Sequence, residues 1–147
     1  MDDPSPGTLT DDDYRLLADF RVALRGFFAF SKAEVAKAGL APQQYQALLA
    51  VRARHDREVS IGDLAAELYI RHHTAVELVD RLEKAGLMRR TAASEGRKVI
   101  LVLTPEARAI LASLAQVHLE QLRRYAPEIT QLLSEDGRAR RRREEDV

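Results

Sequence analysis

Apolar side chains, with the small Ser31 among them, return at three- and four-residue spacing soon after the start of the chain, through Leu17, Phe20, Leu24, Phe27, Phe28, Ser31 and Val35. That period predicts a long amphipathic helix, opened by Thr10 as cap with Asp11, Asp12 and Asp13 in its first turn, and closed at Gly39. Ala41-Pro42 opens a second helix through Tyr45, Leu48 and Leu49, because proline at a first helical position gives up an amide that would be unpaired anyway. After the polar loop His55-Asp56-Arg57-Glu58, Ser60-Ile61-Gly62-Asp63 has the form of a capping box and starts a short helix through Leu64, Ala65 and Leu68. Tyr69-Ile70-Arg71 is a turn. The next helix turns Ala75, Leu78, Val79 and Leu82 inward and stops near Gly86.

The period then changes. Leu87-Met88-Arg89-Arg90 is short, a polar stretch follows, and Val99-Ile100-Leu101-Val102-Leu103 is apolar and rich in β-branched residues, which predicts a two-stranded hairpin with a basic tip. Thr104-Pro105-Glu106 caps a further helix with Ile110, Leu111, Leu114, Val117, His118, Leu122 and Tyr125 on its seam. Pro127 is expected to break it, with a last short helix over residues 128–133. The reading is mainly α with a small β-hairpin wing: a disordered lead at 1–9, a helix at 10–39, a central module at 40–104, C-terminal helices at 105–137 and a charged tail at 138–147.

Composition narrows the chemistry. At 147 residues, 46% apolar and 31% charged, the chain has the make-up of one soluble globular domain. It contains no cysteine, which removes disulfides, thiolate metal sites and thiol redox sensing together. The acidic opening lacks the basic-then-apolar order of a secretory signal, and no run is long enough to span a bilayer, so a cytoplasmic location is expected. Net charge is zero, yet its distribution is uneven. Acids crowd the first twenty residues, whereas Arg71, Arg81, Lys84, Arg89, Arg90, Arg97 and Lys98 populate the middle, and fields act locally because salt screens beyond about 8 Å.

Two short helices joined by a tight turn and followed by a basic hairpin have the order of a winged helix-turn-helix. With Ala75, Leu78, Val79 and Leu82 inward, the helical period turns His73, Glu77, Asp80, Arg81 and Lys84 outward, and Arg71, His72, His73 and Thr74 crowd the leading end. Such an end fits the major groove, which is ~12 Å wide. Glu77 suits either a surface ion pair with Arg81 or acceptance from a cytosine amino group, Asp80 and Lys84 form a second i,i+4 pair, and Arg81 suits a phosphate. His72 and His73 do not converge on one metal ion, because neighbours on a helix point about 100° apart. No metal or cofactor is expected, and no serine elbow, glycine-rich phosphate loop or carboxylate-oriented histidine suggests an enzyme.

The run LAAELYIRHHTAVELVDRLEKAGLMRR followed by EGRKVILVLT resembles the MarR family pattern from about Leu40 to Ala107. Glu95-Gly96-Arg97 stands where the family usually has aspartate-arginine-arginine, so one wing base is absent, while Arg97 holds the expected place beside Lys98. The resemblance implies a sequence-specific transcriptional repressor acting on a pseudo-palindromic operator in double-stranded DNA. Arg71, His72, His73, Thr74, Glu77 and Arg81 would lie in or beside the major groove, with Arg97 and Lys98 at the flank. It also implies a homodimer built from the first and last helices, for which Leu16, Phe20, Leu111, Leu114, His118, Leu122 and Tyr125 are the interface candidates. A small aromatic or phenolic effector is implied too, with Phe30 and Tyr45 as pocket candidates. His118 reads as a hydrogen-bonded core or interface histidine, with a sensor as the alternative. The rival of another class is a winged-helix module that binds protein without DNA; a steep salt dependence separates the two.

Overall fold

A computed structural model describes residues 9–96 and 98–145. The elements are α1 (Asp11–Lys37), α2 (Pro42–Ala53), α3 (Ile61–Glu67), α4 (His72–Lys84), β1 (Met88–Ala92), β2 (Val99–Leu103) and α5 (Pro105–Glu145). The chain forms two compact units: a central one, Lys32–Val117, and a terminal one made of the chain up to Ser31 and from His118 onward.

The central unit is assembled by its caps. Pro42 occupies the first position of α2, and the Ala41 amide donates to Gln44 Oε1 at 2.9 Å. At α3 the capping box closes in both directions: the Ser60 amide donates to Asp63 at 2.9 Å and the Asp63 amide to Ser60 Oγ at 3.1 Å. Thr104 holds the start of α5 to the end of α4. Its hydroxyl donates to the Gly86 carbonyl at 2.8 Å, its amide donates to the Leu87 carbonyl at 3.1 Å, and its oxygen accepts from the Ala107 amide at 3.3 Å.

Around these caps Leu48, Leu64, Val79, Leu82 and Met88 are fully buried and form one core with Val35, Leu101, Leu103, Ala107, Leu111 and Leu114. Strands β1 and β2 pair antiparallel in a register running from Met88 opposite Leu103 to Ala92 opposite Val99. Leu101 and Leu103 face the core while Val102 faces out, the alternation of a sheet covered on one side. The Leu101 amide also donates to the Val59 carbonyl at 2.8 Å, which ties the hairpin to the segment preceding α3.

In the terminal unit the Thr10 amide and hydroxyl both donate to Asp13, at 2.7 and 2.9 Å, and start α1 where the sequence predicts. Phe27 packs edge-on to Phe28, His118 and Tyr125, with centroids 5.7, 6.2 and 6.3 Å away. The Tyr125 hydroxyl lies 2.7 Å from where a Cβ on Gly26 would stand, so glycine is what admits the ring there.

The expected break at Pro127 does not occur; α5 runs through it. Proline removes one helical hydrogen bond and crowds the carbonyl four residues back. Pro127 and Arg123 are both exposed, so the carbonyl left over can bond water and the helix continues. The tail expected at 138–147 is helical in its backbone through Glu145. Residues 1–8 of the lead lie outside the described residues. No helix among the described residues is long and apolar enough to cross a membrane.

Candidate nucleic-acid interface

The site is built on α4, which the central core holds by one face. Ala75, Leu78, Val79 and Leu82 are buried, and Arg71, His72, His73, Glu77, Asp80, Arg81 and Lys84 are exposed, with Thr74 half-buried. This is the division that the 3.6-residue period predicts.

The beginning of α4 differs from those of its neighbours. α1, α3 and α5 have acids in their first turns, Asp11 to Asp13, Asp63 and Glu106, where the exposed amides carry partial positive charge. α2 and α4 have none, but α2 opens on the neutral Ala41-Pro42, whereas at α4 Arg71 takes the cap position without a side-chain hydrogen bond, and His72 and His73 follow. A cation here adds to the positive end of the helix rather than offsetting it. Amides and cations thus point the same way, into solvent, as an anion would require.

The hairpin brings a second cation to the same side. Lys98 and His72 line one open hollow of about 380 Å³ together with Ser60, Ile61, Gly62 and Val99. Lys98 also acts on two carboxylates. Glu58 is held below its ordinary value, first by the Ser94 amide and hydroxyl and then by Lys98; Asp63 is held low mainly by the Ser60 amide and hydroxyl, with Arg57 and Lys98 adding to it. Arg97 lies outside the described residues.

The ion pairs differ from those expected along α4. Arg90, half-buried on β1, takes two of the three acids of the helix: its Nη2 donates to Asp80 at 2.7 Å and its Nη1 to Glu83. Asp80 is therefore engaged by Arg90 rather than Lys84, and no Glu77–Arg81 pair occurs among the described residues. A planar guanidinium can bridge two carboxylates, whereas an i,i+4 pair has to restrain two long exposed side chains. Arg90 is thereby committed to the fold.

Sequence reasoning missed three features here. Nothing in the sequence marks the partners of Arg90, the hold of Glu58 on Ser94 joins residues too distant in the chain for a motif, and Tyr69 occupies the turn before α4 with a positive φ of 54°. For Tyr69 a signal existed: no glycine stands where α3 must end.

The interface candidates divide between the units. Leu111 and Leu114 are buried in the core of the central unit, which corrects the expectation that they face a second chain. Leu16, Phe20 and Tyr125 are half-buried and Leu122 is exposed in the terminal unit. His118 is buried there; its Nε2 lies 2.7 Å from Ser31 Oγ, and Phe30 meets its ring edge-on at 6.1 Å. Of the two pocket candidates, Phe30 belongs to the terminal unit and Tyr45 to the central one, where burial pushes the Tyr45 phenol up.

The chain is similar to known proteins over this region and beyond. Residues 38–98 match the model of the MarR family. Among solved structures, AbsC, a MarR family transcriptional regulator from Streptomyces coelicolor, shares the fold with a TM-score of 0.70 at 21% identity, over 90% of this chain and 91% of that one. MepR, a transcription regulator of the Staphylococcus aureus multidrug efflux pump MepA, superposes with a TM-score of 0.67 at 16% identity, over 86% and 93%. A MepR variant bound to an oligodeoxyribonucleotide superposes at 0.63 and 16% identity, over 95% and 98%. No curated protein sequence matches the chain.

Proposed function

We propose that the chain, whose residues 38–98 match the model of the MarR family, is a homodimeric transcriptional repressor that binds a pseudo-palindromic operator in double-stranded DNA. The observation that carries the reading is the start of α4: bare amides, no acid, and Arg71, His72 and His73 exposed beside a buried apolar face. A DNA phosphate supplies the anion this end lacks, and the groove floor then faces His73, Thr74, Glu77 and Arg81. Lys98, with Arg97 next to it in sequence, reaches the flanking backbone. Lysine and arginine release counterions on meeting phosphates, so affinity falls steeply with salt.

Dimerisation is supported by where apolar surface is left uncovered. Tyr14, Leu17, Val22, Phe28, Leu119 and Leu122 are large, apolar and exposed, and all belong to the terminal unit. A second copy would cover them, and reading a pseudo-palindromic operator requires two α4 helices about one DNA turn, roughly 34 Å, apart.

The test is selection of bound sequences from random duplex DNA by the purified chain, then titration of the best sequence at several salt concentrations. A two-fold symmetric motif with a steep salt slope is expected. A folded dimer that enriches no sequence would sink the DNA reading.

A further inference from the structure

Three helices of the central unit end in the same pair of hydrogen bonds, and the residue at the turning position differs in one of them. At the end of α1 the Gly39 amide donates to the Ala36 carbonyl at 3.0 Å and the Leu40 amide to Val35 at 3.2 Å. At the end of α4 the Gly86 amide donates to Glu83 at 3.0 Å and the Leu87 amide to Leu82 at 2.9 Å. At the end of α3 the Tyr69 amide donates to Ala66 at 3.3 Å and the Ile70 amide to Ala65 at 3.0 Å. This closure needs a left-handed residue, and φ is 79° at Gly39, 72° at Gly86 and 54° at Tyr69. Glycine adopts that conformation freely; a Cβ with a ring on it does not.

Nothing among the described residues repays the choice of tyrosine. Leu68 and Ile70 on either side pack against the core, which pins the backbone of residue 69, while Tyr69 itself is 98% exposed. Its ring buries no apolar surface. A strained backbone position carrying a fully exposed aromatic, rigidly held, is the pattern of a residue retained for what it touches outside the chain. Tyr69 stands two positions before Arg71, at the end of α4 that the DNA reading places on the duplex. Tyrosine is a common donor to DNA phosphates, offering a hydroxyl at the tip of a stiff side chain without adding a charge.

We infer that Tyr69 is a DNA-backbone contact: its hydroxyl donates to a phosphate at the edge of the groove that α4 enters, and the left-handed turn is held by tyrosine at a cost in stability for that contact. The inference rests on the DNA-binding reading above.

The experiment compares the full-length protein with Tyr69→Phe and Tyr69→Gly on the duplex selected by the unaltered chain, by anisotropy titration at several salt concentrations, alongside thermal melts. Both variants are expected to bind roughly tenfold more weakly, the loss typical of one hydrogen bond to a charged group. The salt slope should not change, because no cation is removed. Tyr69→Phe should melt with the unaltered chain, and Tyr69→Gly about 2–4 °C higher, as the strain is relieved. Tyr69→Phe binding as tightly as the original would overturn the inference, as would Tyr69→Gly melting lower, which would make the ring a support of the fold. If the unaltered chain selects no DNA, the DNA reading itself fails and this inference goes with it. Binding by the unaltered chain with no effect of either variant fails this inference alone.

Discussion

Glu58 and Ser94 stand 36 residues apart in sequence, yet the Glu58 carboxylate accepts both the Ser94 amide, at 2.9 Å, and the Ser94 hydroxyl, at 2.8 Å. The pair fastens the tip of the hairpin to the loop ahead of α3, on the same side as Lys98. These bonds hold the Glu58 carboxyl below its ordinary value of 4.5. A group depressed in this way stabilises the fold fully above the unfolded value and ceases to do so as pH falls through the lower folded value. The tether is therefore intact at neutral pH and released only in acid. Glu58→Ala is expected to speed exchange of the Ser94 amide at pH 7 and to weaken DNA binding a few-fold. Unchanged exchange of that amide would show that the wing is held by other contacts.

Two neighbouring side chains at the start of α4 should respond differently to truncation. Arg71→Ala removes a cation at the helix start, so it should weaken binding to all sequences alike and lower the salt slope by about one. His73→Ala should instead change which base is preferred at one position of each half-site while leaving the slope in place. Repeating the sequence selection with each variant separates the cases. Uniform loss from His73→Ala would overturn its proposed role as a reader of base edges.

Ser60 caps the helix that props α4. Losing its hydroxyl leaves the Asp63 amide unpaired, and Ser60→Ala is expected to cost about 1 kcal/mol of stability, seen as a lower urea midpoint with an unchanged slope. The Ser60 amide and hydroxyl also depress the Asp63 carboxyl. This contribution is present above the ordinary aspartate value and is lost as pH falls through the folded one, so the gap between Ser60→Ala and the original should narrow in acid. A gap that stays constant down to the acid transition would mean that the box is not what Ser60 supplies.

Much of this architecture was legible because its signals are local. Thr10, Pro42, the Ser60–Asp63 box and Thr104-Pro105 each satisfy helix-end amides within a few residues, and the apolar period of α4 alone divides its buried from its exposed side chains. What escaped depends on partners distant in the chain or on which face meets solvent. Pro127 was expected to end a helix, and it does not because it lies on an exposed side. Leu111 and Leu114 have the right spacing for a subunit seam, but the central core takes them first. Asp80 has a lysine four residues on, and spacing cannot reveal that Arg90 arrives from a strand.

Arg90 leads to the last expectation, because its effect on DNA should be indirect. It is half-buried and spends its guanidinium on Asp80 and Glu83. Ion pairs still open to solvent on one side contribute only about 0–1 kcal/mol to stability. Their electrostatic effect is larger where a polyanion must approach, since Arg90→Ala would leave two carboxylates uncompensated on the helix that carries the proposed interface. Arg90→Ala is therefore expected to fold nearly as well as the original chain and to bind DNA several-fold more weakly, most clearly at low salt. Adding Asp80→Asn and Glu83→Gln to Arg90→Ala should restore most of the affinity, although no base is returned. Failure of that triple variant to recover, with its melting temperature intact, would mean that Arg90 meets the DNA directly.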